Sequence, residues 1–281
     1  MKIRTALTGV AALLSSAAWA ASLPPGSQYV SLGSSYAAGP GVGIPDPGSA
    51  SCARSQSNYA WQVAAQHHLT LVDVACSGAT TANILDHGQH GFAAQIEAVT
   101  AQTRLTTVLV GGNDVAYIGN LMGLSCRDTG GSNCRIVADD EVDRRFKALP
   151  QTLEQIVAQI RTRAPKSAII MIGYLPAIPA DGTRLCPGLP LTPDDAARMH
   201  AMSVRLAQAI GTVAAKTGVG IVRSSQLGLG HDVCAQQPFV AGYRPPHNPG
   251  WRGPVPYHPD QAGMDRIATA IDEVLAGLPS P

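Results

Sequence analysis

The chain has 281 residues, 45% hydrophobic and 14% charged, which excludes a disordered or polyelectrolyte chain. Lys+Arg number 20 against 19 Asp+Glu, a formal charge of +1 that is too balanced for neutralising the phosphates of a nucleic acid. With 29 Gly, 21 Pro and only 5% aromatics, the composition points to many ordered loops and away from a base- or sugar-stacking platform.

In chain order, residues 1–20 read as an export leader. Lys2 and Arg4 form the positive start, Thr5–Leu14 the apolar stretch, and Ala18-Trp19-Ala20 the cleavage site before Ala21. The apolar stretch is shorter than the roughly 20 residues a membrane span needs. Five β-branched runs follow, at Gln28–Leu32, Leu69–Val74, Leu105–Val110, Ala168–Ile172 and Gly220–Arg223. Between and after them lie helical patterns at Asn58–His67, Phe92–Ala98, Leu149–Arg163, Pro193–Thr217 and Gln261–Leu275. Leu153, Ile156, Val157 and Ile160 repeat at helical spacing, as do Ile267, Ile271 and Leu275, giving each helix one apolar stripe.

Strands separated by helical crossovers predict one α/β domain over residues 21–281, a three-layer sandwich around a central five-stranded parallel sheet. Functional groups in such a sheet collect beyond the carboxyl ends of the strands. Several of the loops there are long and rich in Gly and Pro, as functional loops often are.

All six cysteines, Cys52, Cys76, Cys126, Cys134, Cys186 and Cys234, follow the leader. An even count in an exported chain implies disulfides. Sequential pairing, 52–76, 126–134 and 186–234, is expected because each pair then flanks one connection between elements. Neither C-x-x-C nor a Cys/His ligand spacing for zinc occurs.

Four strand-end segments carry residues suited to chemistry. The first strand runs into Gly33-Ser34-Ser35-Tyr36, placing a serine where a helical turn begins; alone, such a serine is most often a cap. The second ends in Cys76-Ser77-Gly78-Ala79, where Gly78 offers an unobstructed N–H, although a turn glycine needs no function. The third ends in Gly111-Gly112-Asn113-Asp114, whose Asn can aim amide N–H groups at a developing oxyanion or simply form a turn. Val255-Pro256-Tyr257-His258-Pro259-Asp260 puts a histidine just before the last helix.

Together, in this order, these segments resemble the four blocks of the SGNH hydrolase superfamily, the GDSL esterases and lipases. The resemblance covers most of the chain after the leader and implies the flavodoxin-like SGNH hydrolase fold. It implies Ser35 as nucleophile, His258 as general base, and an oxyanion hole from Ser35, Gly78 and Asn113. The six cysteines look like the secreted, three-disulfide branch.

Two positions depart from the family pattern. Ser34 stands where the Gly-Asp-Ser-Leu motif has Asp, so a hydroxyl must organise the turn; Ser34 is also the second candidate nucleophile. Val255 stands where the family usually places the Asp that orients the histidine. A backbone carbonyl, that of Val255, is expected to accept from His258 Nδ1 instead, with Asp260 and Asp232 as other candidates.

The implied reaction is ester hydrolysis through an acyl-enzyme on Ser35, with no metal or cofactor. The expected partner is a small-molecule or lipid ester, with neither nucleic acid nor stable membrane insertion, and the expected protein is a secreted monomer. An imidazole pKa near ~6.5 would set the acid limit of activity. O-acetyl polysaccharide deacetylation and a non-catalytic exported binding domain are the alternatives. Tyr174, Leu175, Phe239 and Trp251 are candidates for an acyl-binding wall. His231, Asp232 and His247 are candidates for the substrate entrance, while His67-His68 reads as a solvated helix face. G-x-S-x-G, G-x-G-x-x-G and H-E-x-x-H are all absent.

Overall fold

A computed structural model describes residues 23–181, 184–244 and 253–278. The expected leader lies outside these residues, as do His247 and Trp251. The five β-branched runs form β1 (Gln28–Gly33), β2 (Thr70–Asp73), β3 (Thr103–Leu109), β4 (Ala168–Ile172) and β5 (Gly220–Val222). They pair in parallel in the order β2-β1-β3-β4-β5.

The chain therefore steps outward from β1 to β2, then crosses back over β1 to β3. The strand order reverses there, which opens a crevice beyond the carboxyl ends of β1 and β3. Gly33 sits opposite Leu109 in the register, so both chains leave the sheet side by side. That pairing brings the serine block and the asparagine block together.

Eight α-helices accompany the sheet among the described residues: α1 (Ser35–Ala38), α2 (Tyr59–Gln66), α3 (Thr81–Leu85), α4 (Tyr117–Asp128), α5 (Asp139–Arg163), α6 (Pro193–Thr217), α7 (Ser224–Leu227) and α8 (Gln261–Gly277). Helix α2 packs on α8 and α5 on α6, so helix pairs flank the sheet. The expected stripes face inward: Leu153, Ile156, Val157 and Ile160 on α5 and Ile267 and Ile271 on α8 are buried. Helix starts follow capping chemistry. The Asn58 side chain accepts from the Ala60 and Trp61 N–H groups at 2.9 and 3.2 Å, a cap worth about 1 kcal/mol. Thr192, followed by Pro193, caps α6, and Asp260 caps α8.

Three helical expectations need correction. Phe92–Ala98 is not an α-helix; only Gln95–Ala98 winds, as a 3₁₀ turn. Helix α5 begins at Asp139 rather than Leu149 and runs through Pro150. Val142, Phe146 and Leu149 continue its buried stripe, so packing outweighs the backbone bond that proline removes. Helix α4 falls in a stretch where neither a helix nor a strand was expected. Its glycines weaken the helical signal, yet a Cβ on Gly123 would stand 2.0 Å from the Arg135 carbonyl oxygen, so close packing requires that glycine.

The three disulfides are Cys52–Cys76, Cys126–Cys134 and Cys186–Cys234, the sequential pairing. The first ties the segment after α1 to the loop after β2, immediately before Gly78. Among the described residues no helix is long and apolar enough to cross a membrane.

Candidate active site

Strand β1 delivers Ser35 through a tightly held turn. The buried Gln95 side chain clamps Gly33 on both sides, with Gly33 N–H donating to Oε1 at 2.8 Å and Nε2 donating to the Gly33 carbonyl at 2.9 Å. A Cβ on Gly33 would stand 2.6 Å from the Leu109 carbonyl oxygen and 2.7 Å from the Ala37 Cβ, so only glycine fits beside β3. The chain then turns through Ser34 into α1, whose first residue is Ser35. At the start of a helix the first N–H groups lack intrahelical acceptors, and that of Ser35 is one of them.

Ser35 Oγ lies 2.7 Å from His258 Nε2. The opposite ring nitrogen, Nδ1, lies 2.9 Å from the Pro256 carbonyl oxygen. A carbonyl only accepts, so Nδ1 carries the proton and Nε2 is the acceptor for the serine hydroxyl. The expectation of Val255 at Nδ1 is thereby corrected. The Val255 carbonyl instead takes the His258 backbone N–H at 3.1 Å, closing a turn that swings the ring back onto the next carbonyl. Neither carboxylate alternative reaches the ring: Asp260 accepts from Gly263 N–H, and Asp232 pairs with Arg184 and accepts from Cys234 N–H.

The histidine turn is pinned from several directions. Tyr257 has φ 63°, a left-handed conformation that costs a non-glycine residue about 1 kcal/mol. Its carbonyl accepts from the Tyr36 hydroxyl at 2.5 Å, its N–H donates to the Ala241 carbonyl at 2.7 Å, and its own hydroxyl meets Ser125 Oγ at 2.5 Å. The fully buried Tyr257 side chain locks the strained backbone in place. His258 itself is 5% exposed beside the Tyr36 ring. Burial pushes its pKa down to about 4, and the Pro256 bond opposes only part of that shift.

Gly78 and Asn113 follow β2 and β3, and the two segments meet next to Gly78, at the Ala79 carbonyl. Gly78 has φ 83°, which demands glycine there. The Asn113 Nδ2 donates to the Ala79 carbonyl at 2.9 Å, leaving its second amide hydrogen for another acceptor. Asp114 braces the same junction by accepting from Thr81 N–H at 3.0 Å and from the Thr81 hydroxyl at 2.5 Å.

Tyr174 is a brace that the sequence did not reveal as one. Its hydroxyl accepts from Gly112 N–H at 2.9 Å and lies 3.4 Å from Ser34 Oγ, while its ring packs on Tyr36. A Cβ on Gly112 would meet that ring at 2.8 Å. Among the described residues the Ser34 hydroxyl thus has this one long contact where the motif usually supplies a carboxylate. As for the expected acyl wall, Tyr174 and Leu175 are buried, and Phe239 stacks on His231 with ring centroids 3.9 Å apart. His67 is no free solvated group either, since its Nε2 lies 2.7 Å from an Asp272 oxygen of α8.

A family model described as GDSL-like lipase/acylhydrolase matches residues 31–266, spanning all four blocks. The chain belongs to this GDSL family. The match covers most of its length, and with it the chain is a carboxylic-ester hydrolase. Lipase 2 of Streptomyces coelicolor is 31% identical over 88% of this chain and 85% of its own. A lipase of Streptomyces rimosus is 29% identical over 85% of this chain and 82% of its own. Among solved structures, phospholipase A1 from Streptomyces albidoflavus shares the fold with a TM-score of 0.69 at 23% identity, covering 89% of this chain and 99% of that one. The parallel sheet and its flanking helices are those of the SGNH fold that the motifs implied, and the three disulfides fit the three-disulfide branch of this GDSL family.

Proposed function

We propose that this GDSL-family hydrolase is a secreted lipase or esterase that works through an acyl-enzyme on Ser35, with His258 as its general base. The observation that carries this reading is the 2.7 Å contact between Ser35 Oγ and an imidazole whose far nitrogen is fixed as donor by the Pro256 carbonyl. His258 Nε2 takes the hydroxyl proton as Ser35 attacks the ester carbonyl, then returns it to the leaving alcohol. Water enters by the same geometry and releases the acid. The negative oxygen formed at each stage meets the Ser35 and Gly78 N–H groups and the second Asn113 amide hydrogen. The Pro256 carbonyl stabilises the imidazolium and holds its orientation, the role an aspartate usually plays.

A long-chain ester as substrate is supported by the lipase names of the two Streptomyces relatives. Export is supported by the leader pattern of residues 1–20 and by three disulfides, which persist in oxidising surroundings.

Release of nitrophenol from a series of acyl esters tests the reading. Ser35→Ala and His258→Ala should each lower kcat by on the order of 10⁴-fold or more. A serine-reactive phosphonate should add its mass to the parent protein and not to Ser35→Ala. Undiminished turnover by Ser35→Ala would transfer the nucleophile to Ser34 or end the proposal.

A further inference from the structure

An open groove of about 570 Å³ lies between α6, the edge strand β5 and the segments that follow β4 and β5. Its volume falls in the range of roughly 300–1,000 Å³ typical of small-molecule sites. Ser35, Gly78, Asn113 and His258 are not among its lining residues, while Tyr174, whose hydroxyl braces Gly112, lines it on the side toward the catalytic turn. Leu175, Ile178, Ile210 and Ile221 supply apolar walls. Val204 and Leu229 lie at its rim, 40% and 58% exposed, so apolar surface continues outward into solvent.

The charge pattern along this trough is one-sided. Among the described residues no carboxylate lines it, and its permanent cation is Arg223. Arg223 is exposed and forms no ion pair among the described residues. Its Nη1 stands 3.2 Å from the place a Cβ on Gly211 would occupy. Gly211 lies inside the 25-residue α6, where glycine costs about 1 kcal/mol relative to alanine. The missing side chain leaves a seat on the helix for the guanidinium. An apolar trough lined by a seated, unneutralised, planar cation is complementary to one apolar chain carrying a terminal anion.

We infer that this groove is a second binding site, separate from the catalytic groups, for a single-chain fatty carboxylate whose tail lies between α6 and β5 and whose head pairs with Arg223. Ester hydrolysis releases molecules of this class, but the binding itself requires no turnover.

Isothermal titration of the Ser35→Ala protein with decanoate, below its micelle concentration, tests the assignment with catalysis removed. Saturable binding of one decanoate is expected. Arg223→Glu should weaken it about tenfold or more, the worth of a charged hydrogen-bonding pair. Ala207→Trp, which fills the trough from the half-buried Ala207 position on α6, should abolish it. Neutral 1-decanol should bind the parent and Arg223→Glu equally. No saturable binding would overturn the inference, as would binding that survives both substitutions, since that ligand sits elsewhere. Tighter binding of decyl phosphate than of decanoate would overturn the carboxylate assignment. Should Ala207→Trp fail to fold, the exposed Arg223→Glu decides alone.

Discussion

The His258 ring is buried, and among the described residues its two nitrogens meet a hydroxyl and a carbonyl. With its pKa near 4, the ring stays neutral and able to accept a proton well below the ~6.5 of a free imidazole. The acid limb of kcat/KM should therefore fall near pH 4, two units or so below the limit expected from the residue type alone; a pH–rate profile reads this directly. Stability should move as well. Between about pH 6.5 and 4 the unfolded chain binds a proton that the native ring refuses, so native stability declines as pH falls through that window. Denaturant titrations at several pH values, with His258→Gln as reference, isolate the contribution. If Asn113 is the oxyanion donor proposed above, Asn113→Ala should lower kcat by roughly 10²–10³-fold with KM little changed, because that charge exists only in the transition state. Ser35 and His258, which meet at 2.7 Å, stood out in the sequence as a serine just past β1 and a histidine just before α8. The acceptor at Nδ1 did not. Every residue carries a carbonyl, and which one faces the ring follows from the left-handed φ of Tyr257, which nothing about a tyrosine announces.

At the level of elements, the nucleophile's strand owes its end geometry to a group from another segment. Gln95 satisfies both backbone groups of Gly33, two residues before Ser35. Gln95→Ala would leave a buried N–H unpaired at a cost of about 1–3 kcal/mol, so Tm should drop by several degrees. Measured well below Tm, kcat should fall more than KM changes, since the displaced atom is Ser35 Oγ rather than a substrate-binding surface. Unchanged kcat would mean the sheet register alone holds the turn. Strands were the most legible elements, each a short β-branched run closed by turn residues. Helices were legible where caps and stripes agreed, as at α2, α6 and α8. They were obscured at α5 by Pro150 and at α4 by Gly119 and Gly123, the second of which close packing requires. Gln95 gave no signal, and Tyr174 was read as a candidate acyl wall rather than as a brace: a lone glutamine or tyrosine shows no such role until the fold brings it against a distant backbone.

Over the whole molecule, the disulfides differ in how much chain they restrain. Cys52–Cys76 spans a sequence separation of 24 and Cys126–Cys134 one of 8. Restriction of the unfolded chain then favours the first by roughly 1 kcal/mol, at about 3.5 against 2.5. Replacing each pair with serines should show that order in denaturant midpoints. The Cys52–Cys76 replacement should also lower kcat, because that bridge anchors the loop bearing Gly78. The topology as a whole was readable, since alternating elements permit few right-handed parallel arrangements. One consequence concerns timing during synthesis. The hydroxyl and the imidazole that meet at 2.7 Å are 223 positions apart. On the proposed mechanism, a ribosome-bound fragment lacking position 258 has the alcohol but nothing to activate it, so the nascent polypeptide would be inert toward the esters of the cell that makes it.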